Sequence, residues 1–133
     1  MVEYFVGQLA KDAGINVETI RYYEKQGLLP KPRRRDSHYR IYDDEDLQRL
    51  LFIKRAKELG FTLKEIRELC RLRIDYDAKC GDIKNLAEQK LKDVDNRIRD
   101  LKKIRTVLAK LIDQCVDEDV LPDECPILES IKF

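Results

Sequence analysis

Hydrophobic positions recur at helical spacing from the start of the chain. In YFVGQLAKDAGINVETIRYYEKQGLL (4–29), Val6, Leu9 and Ala10 form an i, i+3, i+4 stripe. Gly14 follows, a residue that readily takes the left-handed conformation ending a helix. Asn16 is a natural N-cap for a second helix, in which Ile20 and Tyr23 continue the buried face and Thr19, Arg21 and Tyr22 lie outward. Gly27 ends it. Two short helices around a tight glycine turn predict a helix-turn-helix.

The pattern then changes. PKPRRRDSHYRIY (30–42) contains two prolines that block a helix, while Tyr39 and Ile41 favour extended chain, so a β-ribbon or wing is expected. DDEDLQRLLFIKRAKELG (43–60) restarts a helix with Asp43 as N-cap and further acids in its first turn, where the helix dipole favours them. Leu47, Leu50, Leu51 and the stretch from Ile53 to Ala56 form its expected buried side, and Gly60 its end. TLKEIRELC (62–70) opens another helix through a capping box of Thr62 and Glu65. Ile66, Leu69 and Cys70 share one face there, which makes Cys70 a small core residue.

Beyond RLRIDYDAKCG, Asp82 is expected to cap a long helix running to about Cys115, with no Pro or Gly inside. Ala87, Leu91, Val94, Ile98 and Leu101 alternate by four and three, as do Ile104, Leu108, Leu111 and Cys115 after one three-residue slip. A lone helix cannot bury such a seam against itself, so a second copy is the expected partner, as a parallel or antiparallel coiled coil. The organisation is therefore mainly α: a winged helix-turn-helix over 1–73, a hinge with Cys80 over 74–81, a dimerisation helix over 82–115 and a tail over 116–133.

Composition sharpens this picture. Charged residues make up 40% of the 133 and hydrophobic ones 43%, a balance suited to a folded, helical, surface-rich protein. The formal net charge of +1 hides an asymmetry, because residues 1–73 hold 16 Lys and Arg against 12 Asp and Glu, whereas 74–133 hold 11 against 14. The basic excess peaks in KPRRRDSHYR (31–40), a local concentration suited to nucleic-acid phosphate. There is no signal sequence and no membrane-spanning apolar run, so a cytoplasmic location with reduced thiols is expected. No glycine-rich phosphate loop appears, and the only histidine, His38, falls in the wing, so no enzyme chemistry and no catalytic residue is assigned.

The cysteines pose the remaining question. Cys80 and Cys115 are thirty-five residues apart, roughly 50 Å along a helix axis. One straight helix cannot bring them together, but an antiparallel pair sets the start of one helix beside the end of the other. Cys125 follows Cys115 by a loop that can fold back. Cys80 of one copy with Cys115 and Cys125 of its mate would give two symmetric thiol sites suited to a soft metal. Inert structural cysteines, or a thiol-redox sensor pairing Cys115 with Cys125, are the alternatives.

ETIRYYEKQGLL (18–29), YRIY (39–42), DLQRLLFIKRAKELGFTLKEI (46–66) and CPILESI (125–131) resemble the MerR family of transcription regulators over nearly the whole chain. The tail is similar to that of the family's mercury-responsive branch. The resemblance implies an antiparallel homodimer that represses and activates a metal-resistance operon by distorting a pseudo-palindromic promoter, with RNA polymerase as a further partner and no membrane. It implies Cys80, Cys115 and Cys125 as ligands of Hg(II), the inducer, with Pb(II), Cd(II) and Zn(II) as alternatives because Pro122 lies in the loop between two of the thiols. It further implies DNA contacts from Thr19, Arg21 and Tyr22 on the second helix and from Arg34, Tyr39 and Arg40 in the wing.

Overall fold

The computed structural model describes residues 3–34 and 39–131. His38, expected in the wing, and the side chain of Arg34, expected to contact DNA, lie outside the described residues. The chain forms two compact units, residues 1–87 and 88–133.

In the first unit, α1 (Val6–Ala13) and α2 (Val17–Lys25) flank a turn made by Gly14 at φ 70°. Asn16 caps α2, its side-chain oxygen accepting from the Thr19 N–H at 2.7 Å. A two-stranded antiparallel ribbon, β1 (Arg33–Arg34) and β2 (Arg40–Ile41), is the wing, with Arg34 opposite Arg40. Tyr4 extends its base by exchanging two backbone hydrogen bonds with Tyr42, at 2.7 and 2.8 Å. α3 (Asp44–Glu58) and α4 (Leu63–Arg73) follow, each opened by a capping box. The box at Thr62 and Glu65 is the expected one, whereas at α3 Asp46 completes the box with Asp43.

The core lies where the predicted stripes meet. Leu9, Ile20, Leu28, Leu29, Tyr42, Leu50, Ile53 and Ile66 are almost completely enclosed. Burying each aliphatic side chain contributes about 1.5–3 kcal/mol. Cys70 joins this cluster, in keeping with its reading as a core residue. Leu51 departs from expectation: it lies on the exposed side of α3. A helix turns about 100° per residue, and the core here is a narrow line through Leu50, Ile53 and Ala56, which leaves Leu51 past its edge.

Long cations close the carbonyl ends of the helix-turn-helix. Lys54 Nζ reaches the Ala13 and Gly14 carbonyls at 3.4 Å each, Arg49 Nε donates to Leu28 O at 2.6 Å and Arg67 Nη2 to Gln26 O at 2.8 Å. These carbonyls lie at or just past the ends of α1 and α2, so α3 and α4 supply donors where the helical ladders run out.

α5 runs unbroken from Cys80 to Asp113, 34 residues. It begins two residues before the expected cap. Asp82 is not the N-cap but a first-turn residue whose carboxylate accepts the Lys79 N–H at 2.8 Å. Cys80 is therefore the opening residue of the helix instead of the end of a hinge. In the second unit, Leu91, Val94, Ile98, Leu101, Ile104, Leu108 and Ile112 line α5 with 38–67% of their surface open. The chain then turns through Cys115 and a 3-10 turn at Pro122–Glu124 into α6 (Pro126–Ile131). This last helix was not anticipated. Pro126 suits a first helical position, and Ser130 Oγ donates to Gln114 Oε1 at 2.7 Å, linking α6 to the end of α5.

Candidate nucleic-acid interface and thiol positions

The exposed side of α2 carries what the sequence placed there. Arg21 and Tyr22 are open to solvent, while Tyr23, one position on, is enclosed in the core. Thr19 is partly covered, and its hydroxyl donates to Asn16 Oδ1 at 2.8 Å. Its geometry is that of a residue bracing the helix start. Tyr39, 64% exposed, stands in the wing with its ring edge-on to Phe5 at 6.1 Å between centroids.

Between α2 and the wing is an open concavity of about 450 Å³, lined by Arg21, Glu24, Lys25, Lys31, Pro32 and Arg40. Four of these are cations, and Glu24 is the one acid among the described lining residues. Its carboxylate is mostly covered, with 9% of the side chain accessible. One oxygen pairs with Arg40 Nη1 at 2.9 Å and the other accepts a short hydrogen bond from the Tyr42 hydroxyl. Burial first, and then the carboxylate beside it, hold the Tyr42 phenol well above its ordinary pKa, so the hydroxyl keeps its proton and donates. Arg40 is thus tied inward through one nitrogen. Sequence reasoning assigned Arg40 to DNA and overlooked Glu24 and Tyr42. The available signal was a glutamate four residues after Ile20 on a helix whose outward face is basic.

The cysteines divide into two kinds. Cys70 is buried, and desolvation raises its thiol pKa, partly opposed by Arg49 and Arg73. Cys80 is exposed, and Cys115 and Cys125 are half-exposed, all three as free thiols. Cys115 Sγ lies 3.9 Å from Asp117 O. Cys125 precedes α6 and accepts the Glu129 N–H through its carbonyl at 3.2 Å. Among the described residues of a single chain, no three Cys, His, Asp or Glu side chains gather at spacing suited to a metal ion. No helix among the described residues is long and apolar enough to cross a membrane.

Residues 4–72, which hold the helix-turn-helix and wing, match the MerR HTH family regulatory protein model. The chain belongs to the MerR family. A second model, described as MerR, DNA binding, matches residues 47–111. The chain is 42% identical over 131 residues to the mercuric resistance operon regulatory protein of Bacillus cereus, covering 98% of both. It is 39% identical over 130 residues to the transcriptional regulator ZntR of Escherichia coli strain K12, covering 97% of this chain and 92% of that one. Among solved structures, the regulator PbrR691 of Ralstonia metallidurans CH34 in complex with lead(II) superposes with a TM-score of 0.85 at 36% identity, over 97% of this chain and 99% of the other. The protein is thus a MerR-type transcription regulator with a mainly α, winged helix-turn-helix architecture and a long helix behind it.

Proposed function

We propose that this MerR-family protein is a homodimeric metal sensor that distorts promoter DNA and responds to Hg(II) through Cys80, Cys115 and Cys125. The observation carrying this reading is the segregation of the thiols. One is sealed in the core, whereas three are accessible, at the start of α5, just past its end and at the foot of α6. The open apolar stripe on α5 supports the pairing of two copies. In an antiparallel pair, Cys80 of one copy meets Cys115 and Cys125 of the other.

The donor set fits a soft ion. Three thiolates without imidazole suit Hg(II), whereas Zn(II) takes four tetrahedral ligands and would require a carboxylate or water as well. Pb(II) and Cd(II) are the alternatives, and similarity both to a mercuric resistance operon regulatory protein and to a regulator solved in complex with lead(II) leaves the choice to experiment. A bound ion supplies thiolate bonds that hold two chains together at this point. Because Cys80 opens α5, a shift at its position turns the first helical turn and the segment leading back to α4. Ligation then favours one arrangement of the paired DNA-binding heads over another.

On the DNA, Arg21 and Tyr22 of α2 enter the major groove, with Thr19 assisting, while Arg34, Tyr39 and Arg40 grip phosphates from the wing. Bending and untwisting a site of this size costs on the order of 1–6 kcal/mol, a range that strong thiolate ligation can offset. RNA polymerase is the partner that uses the reshaped promoter. Competitive titration of the reduced protein with Hg(II), Pb(II), Cd(II) and Zn(II), with X-ray absorption counting sulfur neighbours, tests the reading. Three sulfurs around tightly held Hg(II) are expected. Binding unchanged by serine at all three positions would end it.

A further inference from the structure

The Glu24 carboxylate occupies an unusual place for a DNA-binding face. It is mostly buried, it lies in a concavity whose other described charged lining residues are Arg21, Lys25, Lys31 and Arg40, and it holds at once Arg40 of β2 and Tyr42 just past that strand. Arg40 Nη1 donates to one oxygen at 2.9 Å and the Tyr42 hydroxyl donates to the other. Glu24 belongs to α2, the helix presenting Arg21 and Tyr22, whereas Arg40 belongs to β2 of the wing and Tyr42 follows it at the base of the ribbon. One side chain therefore joins the two elements that would contact DNA.

We propose that Glu24 is a specificity-determining positioning residue, which fixes the wing against the recognition helix and withholds the Arg40 charge from indiscriminate phosphate binding. This rests on the reading of α2 and the wing as the DNA-contacting elements. Two physical effects follow from the same carboxylate. Its reach across both oxygens sets the separation of α2 and β2, so that correctly spaced phosphates are engaged together. Its charge offsets one of the four cations among the described residues lining the concavity, lowering sequence-independent attraction, which grows with the number of phosphates neutralised. Tyr42 contributes to the first effect alone, since its phenol stays protonated and uncharged.

Two substitutions separate these effects. Glu24→Gln keeps the length but removes the charge; its one oxygen can still accept from Arg40 while its NH2 donates to the Tyr42 hydroxyl, which then acts as the acceptor. Glu24→Asp keeps the charge but is one methylene shorter and cannot span both partners. The full-length protein is used to select an operator from a random-sequence duplex library. Affinities for that operator and for a scrambled duplex of equal length are then measured from 50 to 400 mM KCl.

Glu24→Gln should bind the scrambled duplex more tightly, with log K against log salt steeper by about 0.9, the equivalent of one more phosphate contact. Glu24→Asp should leave that slope unchanged. Both should lower the operator-to-scrambled affinity ratio by about tenfold, the scale of one charge-assisted hydrogen bond. In an Arg40→Gln background, Glu24→Gln should no longer steepen the slope, because the cation it would release is gone. If both substitutions leave the ratio and the slope at wild-type values, the inference about Glu24 is wrong while the DNA-contacting role of α2 stands. Equal losses on both duplexes, at an unchanged melting temperature, also overturn it. If the wild-type protein enriches no sequence and binds no duplex, the interface reading fails together with it.

Discussion

Alanine at two glycines of the first helix-turn should act in opposite directions. Gly14 closes α1 at φ 70°, a conformation that costs a residue with a Cβ roughly 1–2 kcal/mol. A Cβ built there would lie 2.6 Å from Lys54 Nζ, the ammonium that reaches the Ala13 and Gly14 carbonyls. The lysine must therefore withdraw, and two carbonyls at the helix end lose their cation. Those contacts are long, so their loss adds about 0.5 kcal/mol. The reduced freedom of the unfolded chain returns about 0.4–1 kcal/mol. The net destabilisation of Gly14→Ala is about 1.3 kcal/mol, which for a unit of this size lowers the melting temperature by about 5–10 °C. Gly7, on the same helix, has open space around its would-be Cβ and ordinary helical geometry. Gly7→Ala should raise stability by about 0.5 kcal/mol. Circular dichroism melts at equal protomer concentration measure both, since a dimer's midpoint depends on concentration. Gly14→Asn should fall between wild type and alanine, because asparagine tolerates the left-handed region. A Gly14→Ala protein as stable as wild type would refute the left-handed closure and the lysine seat together.

Other outcomes follow from the same geometry. If α5 pairs two copies as proposed, Leu101→Glu or Leu108→Glu should shift the protein toward monomer in analytical ultracentrifugation, since each apolar side chain buried at a two-fold interface would count twice at about 1.5–3 kcal/mol; an undisturbed dimer would exclude the α5 stripe as its interface. Alkylation by iodoacetamide at pH 7.5 should modify three cysteines rapidly and Cys70 only on unfolding, because it is buried and its thiol pKa is raised; fast loss of four thiols in the native protein would contradict its enclosure. The same raised pKa gives stability that is complete below the ordinary thiol range and is lost as pH rises through the folded-state value, so denaturant midpoints should begin to fall above about pH 8.5. Cys70→Ala should flatten that alkaline onset, and an unaltered profile would assign it to other groups. Mixing a Cys80→Ser protein with a Cys115→Ser/Cys125→Ser protein should restore one metal site per heterodimer, whereas no restored binding would argue against ligands drawn from two chains.

Much of the architecture was legible in the chain because its signals are local. Caps act within one turn, so Asn16, Asp43 and Thr62 could be read directly, as could the glycine at the end of α1. Period 3.6 placed Leu9, Ile20, Leu50 and Ile66 inward, and the two prolines with the basic run marked the wing. The shared face of Ile66, Leu69 and Cys70 marked that cysteine as a core residue, and it is buried. What the tertiary structure decided depends on groups distant in sequence. Leu51 is exposed because the core's width is set by which helices meet α3, and periodicity carries no information about that width. The start of α5 at Cys80 is, by contrast, a local matter, with the Asp82 carboxylate accepting the Lys79 N–H three residues back. Above all, Glu24 meets Arg40 and Tyr42 across sixteen and eighteen residues. Which charges on a basic face are free and which are held is a property of folded distances, because electrostatic pairing depends on separation in space and not along the chain.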